Sequence, residues 1–308
     1  MAPDPLTPLF ETTMTPLEPL VQTRKIGRYT VHAIQAGGVM LDGGAMFGVV
    51  PKPMWEKRIV ADATNRIQLG MRCLLIEHDG GLVLLDTGAG NKETDKFYAI
   101  YQIANGVEVG GERRTALEAG IAAAGHRVSD VALVINTHLH FDHAGGNTYV
   151  DADGTLKASF PNARYVVQAG EHQYAMHTNE RTAASYFERN WEPLREAGKL
   201  ELIEGDREIV PGISVIRTPG HVPHHQSVLI DGGGERACFL ADVCPTASHL
   251  PLPWIMGYDV EPLVTLESKR FLLKRAEAEN WLAVFEHDAV HAWGRVRFDG
   301  KAYGLGSE

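Results

Sequence analysis

Cysteine is scarce in this chain. Cys73, Cys238 and Cys244 are the only three among 308 residues; an odd number with no CxxC pair does not indicate a disulfide framework, and a reducing, cytoplasmic compartment is the expectation. Long apolar runs are missing too: none approaches the ~20 residues that cross a bilayer, so no membrane insertion is expected. Basic residues are in deficit, with 29 Lys and Arg against 39 Asp and Glu and a net charge of −10. That balance argues against a surface built to neutralise phosphates, and hence against nucleic acid as a partner. The N-terminus lacks the basic start and apolar core of a secretory signal. Instead, Pro3, Pro5, Pro8, Pro16 and Pro19 leave residues 1–23 without a usable period, which reads as an extended arm on the domain or on a partner subunit.

What is present is a soluble globular composition, 44% hydrophobic and 22% charged, in a chain long enough for an extensive core. No linker of disordered composition divides it, so residues 24–308 are expected to form a single catalytic domain.

The stretch around which the chain is organised is Thr137 to Asn147, THLHFDHAGGN. It follows VALVIN, residues 131–136, a continuously apolar, β-branched run expected to be a buried strand. His138, His140, Asp142 and His143 place four metal-ligand types within six positions, and clustered His and Asp suit borderline divalent ions. If strand character persists through His140, then His138 and His140 point to one side and can grip one ion. Beyond them the chain must turn, so Asp142 and His143 leave in another direction and could serve a second ion. Ala144, Gly145 and Gly146 suit a backbone that passes close to such a centre.

Residues 26–35 begin as a strand and run into 36–55, an apolar yet glycine-rich segment that is either a buried Ω-like loop or a pocket wall. Residues 67–77 and 82–85 read as a hairpin ending in Asp86-Thr87-Gly88; Asp86 is either a turn residue or a group that orients a metal ligand. A helix is expected over 113–125, a strand over 164–168 and helix over 170–198. The second half repeats the pattern. A strand over 209–217 enters Thr218-Pro219-Gly220-His221, strands over 226–230 and 237–241 lead to Asp242, and a helix over 261–280 precedes the strand 281–285, which delivers His287. A last strand pair is expected around 294–303. Ligand types leaving strand ends in both halves imply an α/β sandwich of two sheets covered by helices, with the site along one edge.

The residues then sort into two groups. His138, His140 and His221 would hold one ion, Asp142, His143 and His287 the other, and Asp242 has one oxygen for each. His225 is expected to support the ligands rather than join them, and His224 to lie at the surface or pocket lining. Two divalent ions are the implied cofactors, zinc first, with manganese, cobalt or iron as alternatives, because the ligand set does not choose among them.

THLHFDH, with VLLDTG upstream and TPGH, FLADV and FEHD downstream in that order, resembles the metallo-β-lactamase superfamily over nearly the whole chain. The resemblance implies a four-layer αββα sandwich and the ligand roles just given. LDGGAMFGVVPKPMW and PLPWIMGYD further resemble the quorum-quenching N-acyl-homoserine lactonase branch, whose relatives include methyl-parathion-type hydrolases. By that resemblance Met46 and Phe47 would line the acyl-chain side of the pocket, and a homodimer is a family-level expectation. Many of these lactonases carry a tyrosine three residues after the bridging aspartate, where it can polarise the lactone carbonyl. Here that position is Pro245, and Tyr258 is the substitute considered, with a packed interfacial tyrosine as the alternative.

The implied reaction is hydrolysis of a small-molecule lactone by a hydroxide shared between two ions, since metals lower the pKa of bound water to about 7. Asp242 bridges the ions and Asp142 helps move the proton to the leaving oxygen. Phosphotriester hydrolysis is the nearest alternative, followed by thioester hydrolysis and a mononuclear iron dioxygenase on the same fold.

Overall fold

Side chains alternate across a strand with period two, and the consequences are visible throughout the computed structural model, which describes residues 20–109 and 112–306. In β1 (Val21–Ile26), β2 (Tyr29–Asp42), β3 (Arg66–Glu77) and β4 (Leu82–Leu85) the apolar residues divide into two sets. Val31, Ala33, Leu74, Ile76, Val83 and Leu85 face the interior between two sheets, while Ile34, Cys73, Leu75 and Leu84 face the opposite way, toward helices.

The first sheet runs in chain order, β1 to β4 and then β5 (Val131–Ile135), β6 (Arg164–Gln168) and β7 (Leu200–Ile203). Its first four strands pair antiparallel, β1 to β2 and β3 to β4 through short turns and β2 to β3 through the segment 43–65. From β4 onward the pairing is parallel, which requires crossovers. The helices α1 (Ala116–Ala123) and α2 (Ala169–Met176) lie on these connections.

The second sheet is also sequential: β8 (Arg207–Val210), β9 (Ile213–Arg217), β10 (Gln226–Asp231), β11 (Arg236–Phe239), β12 (Leu282–Val284), β13 (Trp293–Phe298) and β14 (Tyr303–Leu305). Its one parallel pair, β11 with β12, is spanned by α3 (Pro262–Ala278). Leu272, Leu273 and Ala276 of that helix pack on the outer face of the sheet with Cys238, Ala283 and Phe285. Helix, sheet, sheet, helix is therefore the layer order. All three cysteines are buried and free.

Several boundaries differ from the sequence-based expectations. Residues 1–19 of the expected arm lie outside the described residues, and Val21 to Thr23 belong to β1. The expected loop over 36–55 is strand through Asp42. Short helices Gly43–Phe47 and Lys52–Trp55 follow, the first capped by Asp42 Oδ1 at the Ala45 amide, 2.8 Å. The expected helix over 170–198 is interrupted after Met176 and resumes only at Glu192–Glu196. Between them Asn179 binds the amides of Arg181 and Thr182 with its own side chain, a local alternative that competes with helix. The expected strand over 209–217 is a hairpin, β8 and β9, turning at Pro211 and Gly212.

Candidate metal centre

The site gathers at the carboxyl ends of β4, β5, β9, β11 and β12, the edge at which parallel strands deliver functional groups. Strand β5 ends at Ile135, so His138 and His140 project from the loop beyond it rather than from a continuing strand. Asp86 makes that loop. With φ of 53° at the end of β4, it accepts from the Thr137 amide (2.8 Å) and the Thr137 hydroxyl (2.7 Å). Phe141–Ala144 is then a single helical turn carrying Asp142 and His143. Gly146 lies directly over the Thr87 carbonyl, where a Cβ would collide; the small residues after the cluster serve this close approach. At the end of β11, Ala241 takes φ of 48°, an unfavourable conformation for a residue with a Cβ, and turns Asp242 into the site.

The seven candidate ligands fall into two groups. His138, His140, His221 and Asp242 bring donor atoms together in one group, and Asp142, His143 and His287 do so in a second. Asp242 connects them: Oδ2 is 3.0 Å from His221 Nε2 and 3.9 Å from His138 Nε2, whereas Oδ1 is 3.0 Å from His287 Nε2. Asp142 Oδ2 lies 3.8 Å from His287 Nε2 and 3.9 Å from His143 Nε2.

The far nitrogens of these rings are anchored. His287 Nδ1 donates to the Gly70 carbonyl at 2.7 Å, His221 Nδ1 to Asp259 at 2.9 Å and His143 Nδ1 to Asp86 at 3.0 Å. Each ring thereby turns its Nε2 into the site, where a bound ion would take the lone pair. His287 Nε2 and His143 Nε2 then face each other at 3.3 Å, and His221 Nε2 meets His140 Nδ1 at 3.1 Å. His138 Nε2 and Asp242 Oδ1 have no hydrogen-bond partner although buried. Converging lone pairs and an ionised carboxylate repel one another unless a cation lies between them. Donors on one ion with bonds of about 2.0–2.2 Å stand roughly 3–3.5 Å apart, so the residues fit two divalent ions.

The charges of the bare site express the same crowding. Burial, followed by the neighbouring imidazoles, holds His138 and His140 well below the ordinary histidine pKa. Burial would also lower His287, but the charge and hydrogen bond of Asp242 together with Glu286 outweigh it and raise it to about 9. The Asp242 carboxyl, which burial would raise, is held well below its usual range by His221, His287 and His143.

Other predicted residues take distinct places. His225 is buried; its Nδ1 pairs with the Thr218 hydroxyl at 2.8 Å and its Nε2 accepts from the Asp242 amide at 3.2 Å, so it supports the Asp242 turn. His224 is exposed. Pro245 is buried and its carbonyl accepts from the His287 amide. Above the centre opens a cavity of about 380 Å³, a size suited to a small ligand. Leu41, Met46, Tyr101, Phe141 and Met256 form much of its wall, with Tyr258 at the rim and 40% exposed. Phe47 is not in that wall. It is fully buried, stacked between Trp55 (5.3 Å) and His249 (4.5 Å), because successive residues of a helical turn point in different directions and Met46 takes the cavity side.

Sequence reasoning missed several supports. Glu171, fully buried on α2, accepts from the Leu139 amide at 3.0 Å and the Tyr186 hydroxyl at 2.9 Å. Asp259 orients His221, and the Glu286 carboxyl lies 3.0 Å from His143 Nδ1. Buried Arg72 donates to the Phe285 and Asp288 carbonyls, fixing the loop that carries His287. Asp259 and Glu286 stand within the WIMGYD and FEHD segments, so adjacency to a motif was the available signal; Glu171 and Arg72 had none.

Comparison with known proteins agrees with this geometry. A family model described as the metallo-beta-lactamase superfamily matches residues 71–287. An N-acyl homoserine lactonase from a Bacillus species is 32% identical over 231 residues, 72% of this chain and 82% of that protein. One from Bacillus thuringiensis is 29% identical over the same length and shares. Among solved structures, a probable metal-dependent hydrolase from Staphylococcus aureus superposes with a TM-score of 0.81 at 31% identity, covering 92% of this chain and 99% of that one. A dizinc quorum-quenching lactonase in complex with a product superposes with a TM-score of 0.76 at 19% identity, covering 94% and 97%, a likeness of fold.

Proposed function

Since the chain belongs to the metallo-beta-lactamase superfamily and is a metal-dependent hydrolase, we propose that it opens the lactone ring of N-acyl-homoserine lactones at a dinuclear centre. His138, His140 and His221 would hold one ion, Asp142, His143 and His287 the other, and Asp242 would offer an oxygen to each group. When bound, two such ions supply Lewis acidity and make a water nucleophilic at neutral pH. The chain's own groups do the rest. Leu41, Met46, Phe141 and Met256 bury the acyl chain and keep bulk water from the reacting carbonyl. Tyr258, whose phenol burial pushes up to about 12, stays protonated and donates to the lactone carbonyl oxygen. Asp142 borders both the cavity and the second histidine group, where its carboxylate takes up a proton and returns it to the leaving alkoxide.

The observation that carries this reading is the opening of the double histidine group onto an apolar-walled cavity; the relatives named above supply the substrate class. The test is a side-by-side panel of acyl-homoserine lactones, phosphotriesters and thioesters on metal-quantified protein. Lactone turnover at two ions per chain is expected. A strong preference for the triester or thioester, or full activity with a single iron, overturns the assignment.

A further inference from the structure

Outside the cavity, a second constellation of metal-ligand types stands on the helix-covered face of the first sheet. His32 of β2, Glu77 at the end of β3 and His126, just after α1, bring one donor atom each within reach of a common point. Glu77 is seven residues along β3 from Gly70, the anchor of His287, hence roughly 23 Å away at the rise of a strand. We infer that His32, Glu77 and His126 form a separate divalent-metal site, of zinc type, that clasps the β2–β3 edge to the end of α1.

Glu77 Oε1 is 3.3 Å from His32 Nε2 and 3.1 Å from His126 Nε2. Both are longer than the usual ~2.9 Å of an N–H···O bond. They match the separation of about 3.3 Å between donors on a tetrahedral ion with bonds of 2.0–2.1 Å. The histidine ring of β2 is already aimed, since its Nδ1 pairs with the Thr23 hydroxyl at 2.8 Å, the kind of supporting bond that fixes which nitrogen binds. The carboxylate is aimed as well: the Thr30 hydroxyl bonds to it, and Lys25 Nζ donates to Thr30 Oγ1 at 2.6 Å. That bond, with His126 and His32, keeps the carboxyl at about 2, so it is ionised at neutral pH. The pocket is graded in access. The side chain of His32 is 6% exposed, that of His126 24% and that of Glu77 41%, so an ion can enter from solvent and keep a water as its fourth ligand. Two imidazoles with one carboxylate form a donor set for borderline divalent ions.

The inference is independent of the lactonase reading, because none of these residues touches the cavity. Holoprotein is dialysed to equilibrium against buffered micromolar zinc and bound zinc is counted per chain, for the wild type, His126→Gln and Glu77→Gln. The wild type is expected to retain one zinc more than either variant, with kcat/KM for any substrate unchanged. Equal zinc in all three overturns the site. A second measurement needs no variant: zinc is expected to slow diethyl pyrocarbonate modification of His126 in the wild-type protein at least tenfold, read by peptide mass, and a rate indifferent to zinc overturns the site as well.

Discussion

Asp242 reaches His287 with one carboxylate oxygen and His221 with the other. Its Oδ1 stands 3.0 Å from His287 Nε2 while Nδ1 of the same ring donates to the Gly70 carbonyl. Its other oxygen meets His221 in the same way. One carboxylate therefore spans both histidine groups, and its negative charge is what a neutral isostere removes. Asp242→Asn is expected to cut bound metal from two ions per chain to one or none. It should also lower kcat/KM by more than about a hundredfold, since removing a group that merely supports a ligand already costs 10–100-fold. Metal analysis beside kinetics checks this; full metal content in the variant would remove Asp242 from the ligand set.

Met46 and Phe47 are neighbours with opposite duties. Phe47→Ala empties a buried stack and is expected to cost about 3–5 kcal/mol of stability, seen in denaturant melts. Met46→Ala also truncates a buried side chain, at about 2–5 kcal/mol of stability, and in addition weakens the grip on a long acyl chain, by about 0.8 kcal/mol or fourfold in KM for each methylene left in water. Comparing butanoyl with decanoyl substrates reads the effect. A Met46 variant that handles both chain lengths like the wild type would place the acyl chain elsewhere.

Much of the fold and of the candidate site was legible because both leave periodic or clustered traces. Strands show a period of two, β5 is a continuous apolar run, and His138 to His143 are adjacent in sequence. His221, Asp242 and His287 were legible as ligand types at successive strand ends. What lacked a trace was interaction across sequence. Glu171 reaches the Leu139 amide from 32 residues away, and Arg72 reaches the Phe285 carbonyl from 213 away. Neither residue differs locally from a solvated charge. The interruption after Met176 was also hidden, because the competing bonds of Asn179 are side chain to backbone and carry no hydrophobic period. The direction of Phe47 depended on one short turn, where a single residue of offset changes which side faces the cavity.

Tyr258 lines the rim of the cavity, and its phenol has no hydrogen-bond partner among the described residues. Tyr258→Phe keeps the ring and removes only the donor. If the hydroxyl steadies the carbonyl oxygen as charge develops, kcat falls by about 10–100-fold with little change in KM, toward the scale seen for loss of one such donor. Tyr101→Phe, on the same wall, serves as the control and is expected to change kcat less than twofold or so. Equal kinetics for wild type and Tyr258→Phe would reduce that tyrosine to a packing role.

Glu171 links the metal loop to α2 through a carboxyl that burial pushes up to about 7, although the Leu139 amide and Tyr186 hydroxyl pull the other way. Its unfolded value is 4.5, so the folded chain holds the proton more tightly. Below pH 4.5 both states are protonated and the group costs nothing. Between 4.5 and about 7 the unfolded state ionises first and stability falls; above 7 the cost is constant, about 3 kcal/mol for a difference of that size. Glu171→Gln keeps an acceptor for Leu139 and Tyr186 but cannot ionise. Urea melts of metal-stripped protein should therefore show the variant within ~1 kcal/mol of wild type near pH 4.5 and more stable by up to ~3 kcal/mol near pH 8. A difference that does not grow with pH would mean that Glu171 is already neutral throughout, or that its second oxygen finds water once ionised.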